Sequence, residues 1–166
     1  MENISLFQFF HWYYSAEGNL WQHARDEANQ LAEWGITYVW LPPAYKSFGG
    51  TEEPGYAVYD LYDLGEFKQH GSIRTRYGTK EEYLECIQML HSKGVKVLAD
   101  IVLNHRLGGD KIERVPARKV NNDNRSEYVS DPVKIEAYTK FTFPARRGKY
   151  SNFTWDWHTF TGVCSN

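Results

Sequence analysis

Val95-Lys96-Val97-Leu98-Ala99-Asp100-Ile101-Val102-Leu103-Asn104-His105 is the stretch on which the fold turns. It is a nearly continuous apolar run, rich in β-branched residues, entered through Gly94 and closed by a carboxamide and an imidazole. A run this short reads as a strand buried on both faces, as in parallel sheets covered by helices. In parallel α/β folds the polar groups that meet ligands lie where strands finish, so Asn104 and His105 stand where a site is expected. Asp100 lies earlier, inside the apolar run. A carboxylate there is costly to bury unless a cation or several donors meet it, and the strand supplies neither. Its partner must come from another element.

Upstream, Ile4 to Phe10 reads as a buried first strand that delivers His11, Trp12 and Tyr13 to the following loop. A helix comes next: Asn19 with Gln22 forms a capping box, Trp21, Ala24, Ala28 and Leu31 share a face, and Gly35 ends it. Ile36 to Leu41 is the second strand, stopped by Pro42-Pro43 because proline cannot donate to a sheet ladder. The connection from Ala44 to Gly78 is unusually long and carries Tyr45, Tyr56, Tyr59, Tyr62 and Tyr77. Connections of this length in compact domains are usually functional, and this one is read as the wall of a binding cleft, with Tyr59 and Tyr62 packing the loop. Thr79 with Glu82 predicts a second capping box, and Tyr83, Leu84, Ile87 and Leu90 the apolar face of a helix ending at Gly94. The order β-α-β-loop-α-β gives parallel strands with right-handed crossovers. Beyond His105, the polar segment Arg106 to Asp131 reads as an excursion from this pattern. Tyr138, Phe141, Phe143, Tyr150, Phe153, Trp155, Trp157 and Phe160 are the candidate core of the C-terminal segment.

With 166 residues, 42% hydrophobic and 24% charged, the chain has the balance of a soluble globular protein of about one domain. A net charge of −2 argues against a nucleic-acid surface, and the run Arg146-Arg147-Gly148-Lys149 reads as a solvated loop. No apolar run reaches the length of a membrane span. Met1-Glu2-Asn3 leads into Ile4-Ser5-Leu6-Phe7 without a basic start or a cleavage site, so no signal peptide is read and a cytoplasmic location is expected. Cys86 and Cys164 are too few for a disulfide framework and are expected as free thiols. The aromatic share of 16% suits a carbohydrate site, since ring faces stack on sugars, but rings fill cores equally well.

Asp100-Ile101-Val102-Leu103-Asn104-His105 resembles the first conserved region of the α-amylase family of glycoside hydrolases. Gln8-Phe9-Phe10-His11-Trp12-Tyr13, Val39-Trp40-Leu41-Pro42-Pro43-Ala44-Tyr45-Lys46 and the run from Gly55-Tyr56 to Glu66-Phe67 resemble the same family in the same order, in its bacterial liquefying type. The resemblance implies an α/β fold: residues 1–104 as the first three β/α units of a TIM (β/α)8 barrel, and 105–166 as the start of an irregular β-rich domain B. A complete barrel takes about 250 residues, so the chain would hold only the first part of such an enzyme. The implied activity is retaining endo-hydrolysis of α-1,4-glucosidic bonds in starch-like glucans, with calcium as cofactor in the full-length parent.

Residue by residue, the resemblance implies that His105 hydrogen-bonds the sugar beside the cut bond and that Tyr56 stacks on that sugar. Trp12 would line outer subsites, Asp100 would support the site through an arginine on a later strand, and Asn104 would give its side-chain oxygen to calcium. From the residues alone, His105 reads as structural, Asn104 as turn-forming and Tyr56 as a packed loop aromatic, while Trp12 and Tyr13, at the end of strand one, fit outer subsites and core packing equally well. His11 stands where the family often has an acid. The catalytic carboxylates of the family follow strands four, five and seven, so none is assigned here, and Asp60, Asp63, Glu66 and Asp110 are not put in their place. The isolated chain is therefore expected to be inactive and inclined to self-associate. The alternative is a non-catalytic glucan-binding or interaction fragment. A metal-dependent barrel hydrolase would need paired histidines after strand one, and Phe9-Phe10-His11 offers just one. A nucleotide-binding sheet is weaker still, for want of Gly-x-Gly-x-x-Gly.

Overall fold

A computed structural model describes residues 3–164. The chain divides into two compact units, one ending at Leu107 and the other starting at Gly108. The first is built on a three-stranded parallel sheet, β1 (Leu6–Gln8), β2 (Tyr38–Leu41) and β5 (Lys96–Ala99), in the order β1-β2-β5. Its helices are α1 (Leu20–Asp26), α2 (Ala28–Glu33) and α3 (Lys80–Ser92). Strand alternation puts Val39 and Leu41 on the helix-covered face. There they join Leu20, Trp21, Ala24, Ala28, Leu31, Cys86, Leu90 and Val95 in one apolar cluster.

The opposite face corrects the expectation of a doubly buried strand. Leu6 and Leu98, the latter at 42%, are exposed there because the helices pack on one side only, and along β5, an edge strand, and the chain beyond it Ala99, Ile101 and Leu103 are exposed as well. Regular pairing also stops at Ala99. Beyond it the Val102 N–H donates to Tyr45 Oη at 2.8 Å, leaving the strand ladder for a side chain. The first strand is likewise shorter than Ile4–Phe10 and its three residues are exposed.

The helix after β1 keeps its predicted face, with Trp21, Ala24, Ala28 and Leu31 all buried, but it bends at Glu27 into two segments. Its capping box does not form. Asn19 turns to Glu17, two residues back, and Gln22 bonds Glu82 of α3, so a local partner takes one side chain and a tertiary partner the other. The box at α3 does form: Thr79 Oγ1 accepts from the Glu82 N–H at 3.3 Å and Glu82 Oε2 from the Thr79 N–H at 2.7 Å. Tyr83, Cys86 and Leu90 face the core, whereas Leu84, one residue and about 100° round the helix from Tyr83, faces out. Gly94 takes φ +77° and the Val95 N–H returns to the Leu90 carbonyl, the left-handed exit that glycine makes without strain. Burial pushes the Cys86 thiol up to about 12.

The long connection has its own polar core. β3 (Lys46–Ser47) pairs antiparallel with β4 (Val58–Asp60). Lys46 is fully buried, donating from Nζ to the carbonyls of Ser72 at 2.9 Å and Ile73 at 2.5 Å, and lies 3.7 Å from Asp63. Desolvation lowers its pKa, with Asp63 opposing the shift. Asp63 Oδ1 accepts from the backbone of Gly65, Glu66 and Phe67, and Gln69 Nε2 bridges Asp60 and Asp63. Tyr59 is buried as expected, but Tyr62 is exposed.

The second unit is a β-hairpin, β6 (Lys111–Ala117) with β7 (Val133–Lys140), followed by irregular chain. Phe141 bridges Trp155 in antiparallel register, and Phe141, Phe143, Trp155 and Phe160 form its aromatic centre. Tyr138, Tyr150, Phe153 and Trp157 do not join the core; they are exposed. Arg146, expected in a solvated loop, is buried: its guanidinium lies 4.9 Å from the Phe143 ring and donates to the carbonyls of Lys149 and Ser151. Both cysteines are free thiols, Cys86 buried and Cys164 exposed. Among the described residues no helix is long and apolar enough to cross a membrane.

Candidate functional site

At the C-terminal end of the parallel sheet, Tyr56 draws the predicted residues together. Its hydroxyl donates to Asp100 Oδ2 at 2.9 Å, and Trp40 Nε1 donates to the same oxygen at 3.2 Å. The donors that Asp100 requires thus come from the long connection and from β2. Register explains Trp40: it pairs with Leu98, and Asp100 follows two residues later on the same face. Burial, then the Asp100 carboxylate, raise the Tyr56 pKa far above the ordinary phenol range.

The Tyr56 ring stacks on Trp12, with centroids 5.7 Å apart and planes 12° from parallel. Trp12 is 60% exposed, so the pair presents an apolar ring surface at the sheet end in place of the core packing that its residue type allows. Gly55 lets the chain reach this position. It has φ +98°, and a Cβ there would stand 2.7 Å from Pro43 Cβ. His105 closes the group from the other side: its Nε2 lies 2.8 Å from the Tyr56 carbonyl oxygen. A carbonyl only accepts, so Nε2 carries the proton, and Nδ1 faces Asn104 Nδ2 at 3.4 Å. Tyr56, Asp100, His105 and Trp12 are therefore one connected constellation with Asn104 at its edge.

Asn104 is exposed, and among the described residues no three His, Cys, Asp or Glu side chains converge. Calcium takes about six to eight oxygens, so one carboxamide oxygen does not make a calcium site, and the donors present among the described residues do not fit one. The acids set aside from the sequence all have structural partners. Asp60 and Asp63 serve the buried Lys46–Gln69 network, Glu66 pairs with Lys80 at 2.8 Å, and Asp110 accepts from Thr142 and Phe143. Trp40, bonded to Asp100, and Tyr45, which accepts from the Val102 N–H, stand beside this group without having been expected there. Alternation along Tyr38-Val39-Trp40-Leu41 could have found the first; nothing local signals the second.

A family model described as "Alpha amylase, catalytic domain" matches residues 24–163. The chain belongs to that family. It is 48% identical over 161 residues to an alpha-amylase of Geobacillus stearothermophilus, covering 97% of this chain and 29% of the relative. It is 45% identical to the cytoplasmic alpha-amylase of Escherichia coli K12, covering 98% and 33% respectively. The chain thus spans a third or less of these curated relatives. Among solved structures, a truncated alternansucrase from Leuconostoc mesenteroides superposes with a TM-score of 0.72 at 28% identity, over 87% of this chain and 14% of that one. The family match and this neighbour bear out the α/β reading.

Proposed function

We propose that this chain is the N-terminal part of an endo-acting α-amylase that hydrolyses α-1,4-glucosidic bonds of starch-like glucans and maltooligosaccharides by a retaining mechanism. In this reading residues 1–104 are the first three units of the barrel and 105–166 begin domain B. The observation that carries it is the Tyr56 constellation in a chain of this family: a stacked, exposed ring surface beside a carboxylate and an imidazole. The flat Trp12 and Tyr56 faces suit the carbon–hydrogen face of a pyranose. Asp100 fixes the Tyr56 ring through its hydroxyl, and His105 would accept a sugar hydroxyl at Nδ1 by giving up the long 3.4 Å contact from Asn104 Nδ2. Calcium would be held in the longer protein by Asn104 together with oxygens from elsewhere. The cytoplasmic relative supports a cytoplasmic location.

Retaining hydrolysis needs two carboxyl groups about 5 to 5.5 Å apart, free to act on the substrate. Asp60, Asp63, Glu66 and Asp110 are bound in structural roles, which favours a second reading for the isolated chain: glucan contact without turnover. Its open sheet face and its β5 edge favour self-association. The test has two parts. In the full-length protein, Tyr56→Ala and His105→Ala each lower kcat/KM on maltooligosaccharides by about 1 to 3 kcal/mol, the worth of a stacked ring or a hydrogen bond to substrate. Unchanged kinetics in both variants would take the constellation out of the site. The isolated chain releases no reducing ends from soluble starch above a buffer blank, and turnover would overturn the second reading.

A further inference from the structure

Trp12 and Tyr56 lie on different loops, yet their rings are held nearly parallel. One exposed stacked pair is too weak to order two loops against the entropy of each residue fixed. Something else must set the distance between them. The segment 74–77 does this with side chains that end on backbone carbonyls. Arg74 Nη2 donates to Ala16 O at 2.8 Å, on the loop that carries Trp12. Tyr77 Oη donates to Pro54 O at 3.1 Å, on the loop that carries Tyr56.

Arg76 reaches both loops. Its Nε and Nη2 donate to Tyr14 O at 3.0 and 2.5 Å, and its Nη1 donates to Glu52 O at 2.7 Å. Tyr14 is two residues beyond Trp12, and Glu52 is four before Tyr56. A guanidinium is a rigid planar fork, so three bonds from one group fix the separation and tilt of the two carbonyls. Lysine would keep the charge and lose the fork. We propose that Arg76 is a positioning residue for the glucan-facing surface: it sets the register of the Trp12 and Tyr56 rings by joining the two loops that bear them. The geometry of this role stands on the structure, whereas its consequence for glucans rests on the function proposed above.

The test uses the 166-residue chain labelled with 5-fluorotryptophan, with ¹⁹F NMR as the readout. Trp12→Phe assigns the Trp12 resonance, and Tyr56→Ala gives its position without the stacked neighbour. In Arg76→Met the Trp12 resonance moves most of the way to the Tyr56→Ala position, and in Arg76→Lys part of the way, while the other tryptophan resonances keep theirs. A Trp12 resonance unmoved in Arg76→Met overturns the proposal. If Arg76→Met shifts every tryptophan by unfolding, Arg76→Lys decides: a selective Trp12 shift supports the role and an unmoved one overturns it. Maltoheptaose added to the wild type separates the two claims. A Trp12 response that weakens about two- to tenfold in apparent affinity in Arg76→Met supports the glucan-facing role, the range being what ordering a side chain on binding costs. No response in the wild type, with the Arg76 shifts intact, overturns that role and leaves the ring-positioning result standing.

Discussion

Tyr56→Phe isolates one bond of the site. It removes the hydroxyl that donates to Asp100 Oδ2 at 2.9 Å and leaves the ring that stacks on Trp12 at 5.7 Å. Asp100 then keeps the longer Trp40 bond of 3.2 Å. A hydrogen bond to a charged group contributes about 1.5 to 3 kcal/mol net, and because Tyr56 and Asp100 are half-exposed the lower end applies, about 1 to 2 kcal/mol. With a urea m-value of about 2 kcal/mol/M, the middle of the usual range for small proteins, the unfolding midpoint falls by roughly 0.5 to 1 M. The assay is urea unfolding followed by tryptophan fluorescence for Tyr56→Phe, Asp100→Asn and the double variant. The two single effects are expected to be coupled by at least about 1 kcal/mol, as for groups in direct contact. A Tyr56→Phe midpoint equal to that of the wild type, with additive effects in the cycle, would refute the claim that this bond satisfies Asp100.

Lys46→Met strands the buried Asp60 and Asp63 without their cation and should destabilise the chain by about 3 to 5 kcal/mol, read as a large fall in Tm by calorimetry. The tyrosines give a pH dependence. Burial raises the pKa of Tyr45, Tyr56, Tyr77 and Tyr83 in the folded chain, Tyr77 and Tyr83 to about 12. A raised pKa means that the folded state holds its proton more tightly, so this stability is complete below the unfolded value of about 10 and is lost as pH rises through the folded values. Urea midpoints measured from about pH 9 to 12 should therefore fall steadily above about pH 10, and a flat profile would contradict the burial. Calorimetric titration of the isolated chain with calcium should show no tight uptake, because Asn104 lacks the oxygens a site needs; submicromolar binding would contradict the donor set.

The sequence pattern carried the strand–helix alternation because it depends on local periodicity. Trp21, Ala24, Ala28 and Leu31 are buried as their spacing requires, and Thr79 with Glu82 caps α3. Where two elements compete for one side chain, the pattern failed. Gln22 satisfies every local requirement of a capping box, yet Glu82 sits sixty positions away and takes it. The exposure of Leu98 was illegible for a different reason: an apolar run says which residues could be buried, and burial depends on a cover that the run does not contain. Lys46 and Arg146 read as surface residues by type, and only the carbonyls gathered around them by the fold explain their burial. At the site, the resemblance picked out Tyr56, Asp100 and His105, which the fold brings into contact, but Trp40 and Arg76 act through neighbours distant in sequence.

Cys86 gives the core of the first unit a chemical clock. Its thiol is fully buried in the cluster beneath the sheet, and only the thiolate attacks thiol reagents. In the native state the group is both inaccessible and almost wholly protonated, whereas Cys164 is exposed and should react at once. The slow labelling phase in native buffer therefore counts openings of the helix–sheet packing, with no denaturant present. Because Cys86 lies on α3, seven residues after its cap at Thr79, that phase would report whether the helix leaves the sheet as a unit or only when the whole of this layer comes apart.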